Sequence, residues 1–295
     1  MRGYEPHKTL SDRAHPRSEL WRLCAGMMLA FVLFILLALL YTQIIPGLLP
    51  AGAFGPKGRG LDAATTPWAV IVTLFIFAPM MAALGMAMTW LHGRPLSGLI
   101  GPPGVAWAQA RRAGLAAAAL YGVLYLLPFP AEMTPVPGVP LGPWLIFLPL
   151  SLIGLLIQVS AEELIFRGYL QSQLAARFRS PWVWIIVPSV LFGLLHYSPD
   201  MGGAAWWMVL WATLFGIVAA DITARTGTLG PAIALHFVNN FTAIFIVATM
   251  DYFDGLALWR VPFDLSDTNA LMMWMPVELL LLLCAWLTMR AALRV

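Results

Sequence analysis

Long apolar runs, broken only by short loops, constrain this sequence more than any other feature. A membrane-crossing helix needs about 20 mostly apolar residues, within a range of roughly 17–25. Eight stretches meet or approach that length: Leu23–Ile45, Trp68–Leu91, Ala113–Phe129, Leu141–Arg167, Trp182–Tyr197, Ala204–Asp221, Leu229–Met250 and Leu271–Met289. Pro- and Gly-rich segments separate them, as at Pro46–Gly60, Gly93–Gly104 and Pro128–Pro143. The chain is 60% hydrophobic and only 11% charged, against about a quarter charged in a soluble domain. So few charges cannot cover the outside of a water-soluble fold of this size. A soluble enzyme, a disordered chain and a disulfide scaffold are therefore excluded. The expected fold is an all-α, polytopic membrane bundle of about eight transmembrane helices. It has a polar arm at 1–22 and a single membrane domain at 23–295.

The basic residues orient the bundle. With eight spans and an inner N-terminus, the inside segments hold Arg2, Lys8, Arg13, Arg17, Arg22, Arg94, Arg111, Arg112, Arg167, Arg177, Arg179, Arg225, Arg290 and Arg294. The outside loops hold Lys57, Arg59 and Arg260. This is the positive-inside asymmetry, and it places both termini in the cytoplasm. Ala51-Gly52-Ala53 resembles a cleavage site. However, the apolar run before it is too long for a signal peptide and follows a polar arm, so the first span reads as an uncleaved anchor. The net charge of +3 is too small to imply nucleic acid. Cys24 and Cys284 lie in apolar stretches and read as small buried residues.

Ionisable groups inside a bilayer cost roughly 2.5–3.5 kcal/mol on insertion scales and mark function by default. Glu162, Glu163 and Arg167 lie in the fourth span, His196 at the end of the fifth, and His236, Asn239 and Asn240 in the seventh. Counted back from Arg177, Glu162 lies about 22 Å deep at the helical rise, and His196 comes to a similar depth. His236 and Asn240 fall roughly 10–17 Å into their span. Polar groups from three helices thus reach overlapping depths.

Spacing divides their roles. Glu163 and Arg167 are four apart in the favourable Glu-before-Arg order and should pair. Glu162 points about 100° away. Gln158 lies one turn behind it, so this face should line a wet cavity, the setting of a general base. His236 and Asn240 share a helix face and can donate to a developing oxyanion without being charged. Asn239 is the near alternative. Asp221 and Arg225 should form a second pair at the inner interface. Glu278 reads as reaching the outer interface or pairing across helices. Ala212, Gly216 and Ala220 form a small-residue packing stripe.

Glu162-Glu163-x-x-x-Arg167, Phe192-x-x-x-His196 and His236-x-x-x-Asn240 together resemble the three motifs of the CPBP family. This family comprises CAAX-type prenyl endopeptidases and bacteriocin-processing or self-immunity proteins, viewed as intramembrane glutamic proteases. The resemblance covers roughly residues 141–250. It implies that Glu162 with His196 activates the attacking water, and that His236 and Asn240 hold the tetrahedral oxyanion. Glu163 and Arg167 would support them.

The expected activity is intramembrane endopeptidase cleavage of a membrane-associated peptide or protein, with no cofactor and no nucleic-acid partner. The family was long described as metal-dependent, and two His and a Glu are possible zinc ligands. The spacing is not His-Glu-x-x-His and the groups come from three helices, so the metal-free reading is preferred. Two other readings stand beside the protease. One is a non-catalytic immunity or scaffold protein. The other is a proton-coupled transporter, for which duplicated, broken-helix halves are missing from the sequence. The expected location is a multi-pass position in a bacterial cell membrane.

Overall fold

The computed structural model describes residues 2–55, 63–129 and 131–295, so Lys57 and Arg59 lie outside the described residues. The chain folds as a helical membrane bundle. The N-terminal arm is itself folded: a 3-10 turn, Arg2–His7, leads into α1, Lys8–Ala14. The first long helix is α2, Leu20–Ile44. The second crossing comprises α3, Pro67–Phe75, and α4, Phe77–Ala87, and closes in a π turn at His92. Thr66 caps α3 by accepting from the Ala69 amide.

Next come α5, Pro103–Leu124, and α6, Leu141–Glu163. From α6 the chain runs through a π-helical stretch, Leu164–Gln171, into α7, Ser172–Arg177. The remaining helices are α8, Pro181–Leu194; α9, Ala205–Thr226; α10, Gly230–Phe241; and α11, Thr268–Leu293. Among the described residues, five helical segments are long and apolar enough to cross a membrane: Leu20–Leu48, Pro67–His92, Leu141–Arg177, Met201–Thr226 and Thr268–Leu293. Pro181–Leu194 and Gly230–Ile246 are shorter apolar helices.

Four sequence expectations need correction. Cys24, expected to be buried, is exposed on α2, and Cys284 is only half-buried on α11. The third span was expected from Ala113, but α5 begins at Pro103 because Pro102-Pro103 starts a helix without losing a needed amide. It also ends five residues earlier than expected. The seventh was expected to remain helical to Met250. Instead α10 gives way to a π turn, Thr242–Ile246, and then to a strand. The bundle is therefore not purely α. Strands β1, Val136–Pro137, β2, Val247–Met250, and β3, Trp259–Asp264, form a three-stranded sheet in the order β1-β3-β2. β1 is antiparallel and β2 parallel to β3.

The sheet and the arm close opposite ends of α9. Val261 and Phe263 of β3 pack with Ala204 and Ala205 at the start of α9. At its other end, Asp221 accepts from Tyr4 at 2.6 Å and from Trp286 at 2.8 Å. Arg225 Nε also bonds both Asp221 oxygens at 2.9 Å, as the four-residue spacing predicted. These three partners account for Asp221 as an anchor of the arm. Close helix approach depends on missing side chains. A Cβ at Gly216 of the small-residue stripe would come within 2.9 Å of Ser189 on α8. One at Gly230 would overlap the Ala106 carbonyl of α5, so the start of α10 lies directly on α5.

Candidate active site

The site forms where α6 meets α8, α9 and α10. Glu163, the last residue of α6, is fully buried. Its Oε1 accepts from Arg167 Nη1 at 3.0 Å and from His236 Nδ1 at 2.8 Å. Arg167 is equally buried, and its guanidinium lies 4.6 Å from the centre of the Phe192 ring. Phe215 and Phe192 stand edge-on to His236, with ring centroids 4.9 and 6.1 Å away. Charged groups so placed must satisfy one another, because the aromatic walls offer no solvation.

The opposite nitrogen of His236 faces Glu162, with Nε2 to Oε2 at 3.4 Å. This geometry settles the tautomer. A carboxylate paired with arginine can only accept, so Nδ1 carries the hydrogen. A neutral His236 would then present a bare Nε2 to Glu162. The sequence expectation that His236 could act as a neutral oxyanion donor is overturned, since its hydrogen is spent on Glu163. Nε2 can donate only from the imidazolium. Glu163 is thus more than the partner of Arg167: it sets the orientation of a histidine 73 residues away.

His196 lies just past the end of α8. Its Nδ1 donates to the Phe192 carbonyl at 2.8 Å, and its ring lies 4.6 Å from the Phe192 ring. A carbonyl only accepts, so this tautomer is fixed as well and Nε2 has no hydrogen in the neutral form. Phe192 is therefore the wall shared by Arg167, His196 and His236. His196 makes no direct hydrogen bond to Glu162; it shares the Phe192 wall with His236, whose Nε2 faces that carboxylate. Asn240 Nδ2 donates to Gln158 Oε1 at 3.1 Å, one turn before Glu162 on α6. Asn239 donates to Asn240 Oδ1 at 3.1 Å and accepts from Tyr121 at 2.8 Å. Tyr121 had no sequence signal beyond being a hydroxyl in an apolar helix.

Among the described residues, no three His, Cys, Asp or Glu side chains are grouped to hold a metal ion. Glu278 is bonded by Trp274 Nε1 at 2.8 Å within α11.

Residues 143–242 match the family model for Rce1-like type II CAAX prenyl endopeptidases. Over 115 residues the chain is 33% identical to the Bacillus subtilis (strain 168) protein named Uncharacterized protein YyaK. That alignment covers 38% of this chain and 38% of the relative's length. No solved structure matches. The matched segment contains Glu162, Glu163, Arg167, His196, His236 and Asn240, the residues on which the motif resemblance rests, and over residues 143–242 the chain is similar to Rce1-like type II CAAX prenyl endopeptidases.

Proposed function

We propose that the chain is an intramembrane endopeptidase that hydrolyses a peptide bond of a membrane-associated protein or peptide, with Glu162 as general base. The observation that carries this reading is the Glu162–His236–Glu163–Arg167 array. One carboxylate is committed to structure, while the other faces an oriented histidine nitrogen at 3.4 Å.

With His236 as imidazolium, the two carboxylates, Arg167 and His236 are together neutral, which suits a site with aromatic walls. Water gives a proton to Glu162 as its oxygen bonds to the scissile carbonyl carbon. The oxyanion is held by His236 Nε2–H and by the free N–H of Asn240. The C–N bond then breaks, and Glu162 passes its proton to the departing amine. His196, with Nε2 free of hydrogen, accepts from the attacking water and orients it. No metal enters these steps.

Eight spans with both termini inside a bacterial cell membrane fit this reading. In that count, α5 and the two shorter apolar helices complete the five long crossings, and the basic residues lie at the inner ends. The substrate is a peptide segment reaching the cavity from the bilayer, with lipid and that substrate as the partners. Replacing Glu162 by Gln keeps the shape and removes the base. Cleavage of a quenched membrane peptide should fall by roughly 10²–10⁴. Full activity in Glu162→Gln would sink the mechanism.

A further inference from the structure

A chain of hydrogen bonds continues beyond the motif residues into a helix outside the matched segment. Tyr121 is on α5, buried at 6% exposure. Its hydroxyl donates to Asn239 Oδ1 at 2.8 Å, Asn239 Nδ2 donates to Asn240 Oδ1 at 3.1 Å, and Asn240 Nδ2 donates to Gln158 Oε1 at 3.1 Å. All three bonds run in one direction. The buried hydroxyl proton needs an acceptor, so Asn239 must turn its oxygen to Tyr121 and its nitrogen onward. The same logic turns Asn240 and then Gln158.

The last group in the chain is the Gln158 amide nitrogen. It has no partner among the described residues, and it is not among the nitrogens sealed away from solvent. Gln158 lies four residues before Glu162 and shares its face of α6. The chain therefore ends in an oriented donor beside the general base.

We propose that Gln158 is a further catalytic residue, donating through Nε2 to the carbonyl oxygen under attack, and that Tyr121 is the positioning residue that sets the direction of the Asn239–Asn240–Gln158 amides. An amide turned the wrong way would present oxygen to an oxyanion, so direction matters more here than strength. The two helices also meet at the start of α10, where Gly230 permits close contact with α5. The proposal rests on the reading of Glu162 as the base.

The test uses the full chain in lipid nanodiscs and a quenched peptide that the wild-type chain cleaves. Gln158→Glu keeps an oxygen for Asn240 but replaces the free N–H by an acceptor. It should lower kcat about 10²-fold with KM within twofold, as for loss of an oxyanion donor. Tyr121→Phe should lower kcat about tenfold. In an Asn240→Ala background, Tyr121→Phe should cost nothing more, because the chain is already cut. Wild-type kcat in Gln158→Glu would overturn the donor assignment. Multiplicative losses for Tyr121→Phe and Asn240→Ala would overturn the positioning role. Undiminished cleavage in Glu162→Gln is a different result and would instead remove the protease mechanism beneath it.

Discussion

Replacing Glu163 by Gln tests how the buried ion pair and His236, the proposed oxyanion donor, depend on one carboxylate. Glu163 and Arg167 are 0% and 1% exposed, and both Arg167 and His236 bond the same Glu163 oxygen. The substitution preserves size and leaves the guanidinium without a counter-ion among aromatic rings. Removing one partner of a buried pair costs about 3–5 kcal/mol, a large part of a total of about 5–15 kcal/mol. For a chain of this size, that lowers the unfolding midpoint by roughly 10 °C. Removing both charges with Glu163→Gln/Arg167→Met leaves no orphan ion, so most of that loss should return. Activity should not return with it. His236 Nδ1 would face a neutral amide in both variants, and each should cleave at least about 100-fold more slowly. Thermal unfolding in nanodiscs and peptide cleavage are measured on the same samples. A double variant no more stable than Glu163→Gln would refute the desolvation argument. One that cleaves like wild type would refute the orienting role of Glu163.

Three further outcomes are expected. His196→Ala should lower kcat by roughly 10²–10⁴ and lower the unfolding midpoint by only a few degrees, because its one fixed bond is to a helix-end carbonyl; an unchanged kcat would remove it from the water site. Burial against Trp184 pushes His7 down from 6.5 to about 4, so an unfolded arm binds the proton first. Arm stability should be full above about pH 6.5 and fall by about 2 kcal/mol at pH 5. Amide exchange of residues 2–14 should quicken accordingly, and His7→Phe should abolish the effect; pH-independent protection would contradict it. Single cysteines at Lys8 and Arg290, in a chain with both native cysteines replaced, should react with an impermeant maleimide from the same membrane side. Labelling from opposite sides would refute the eight-span topology.

The parts legible in the sequence were those written in local spacing. Two residues four apart on a helix share a face, so Glu163–Arg167 and Asp221–Arg225 could be paired before any coordinates were seen, and both pairs form. The same rule separated Glu162 from Glu163 on one turn. Long-range partners leave no such trace. Nothing near Glu163 announces that His236 will take the same oxygen, and nothing near Tyr121 announces Asn239. Apolar runs also say where a chain avoids water without saying in what shape. Ile246-Val247-Ala248 continues the seventh apolar stretch, and β-branched residues serve a strand as well as a buried helix. Here the partner decides: β3 is available to pair, and the helix stops. The π-helical stretch after Glu163 was likewise unreadable, because it differs from an α-helix in hydrogen-bond register rather than in pattern.

The polar site lies beside a helix that ends early. At 14 residues, α8 is about 21 Å long, short of a hydrocarbon core of about 30 Å. An end inside the membrane exposes carbonyls that have no water to bind. His196 supplies one of the missing donors, bonding the Phe192 carbonyl. The bond that finishes the helix is therefore the bond that fixes the histidine tautomer, so one interaction both completes the helix end and orients His196. Glu163 does the same for Arg167 and His236. Glu162 differs. Its Oε2 is buried without a well-formed hydrogen bond, 3.4 Å from His236 Nε2. It finishes no helix end, and in the proposed mechanism it is the carboxylate that takes the proton of the reacting water.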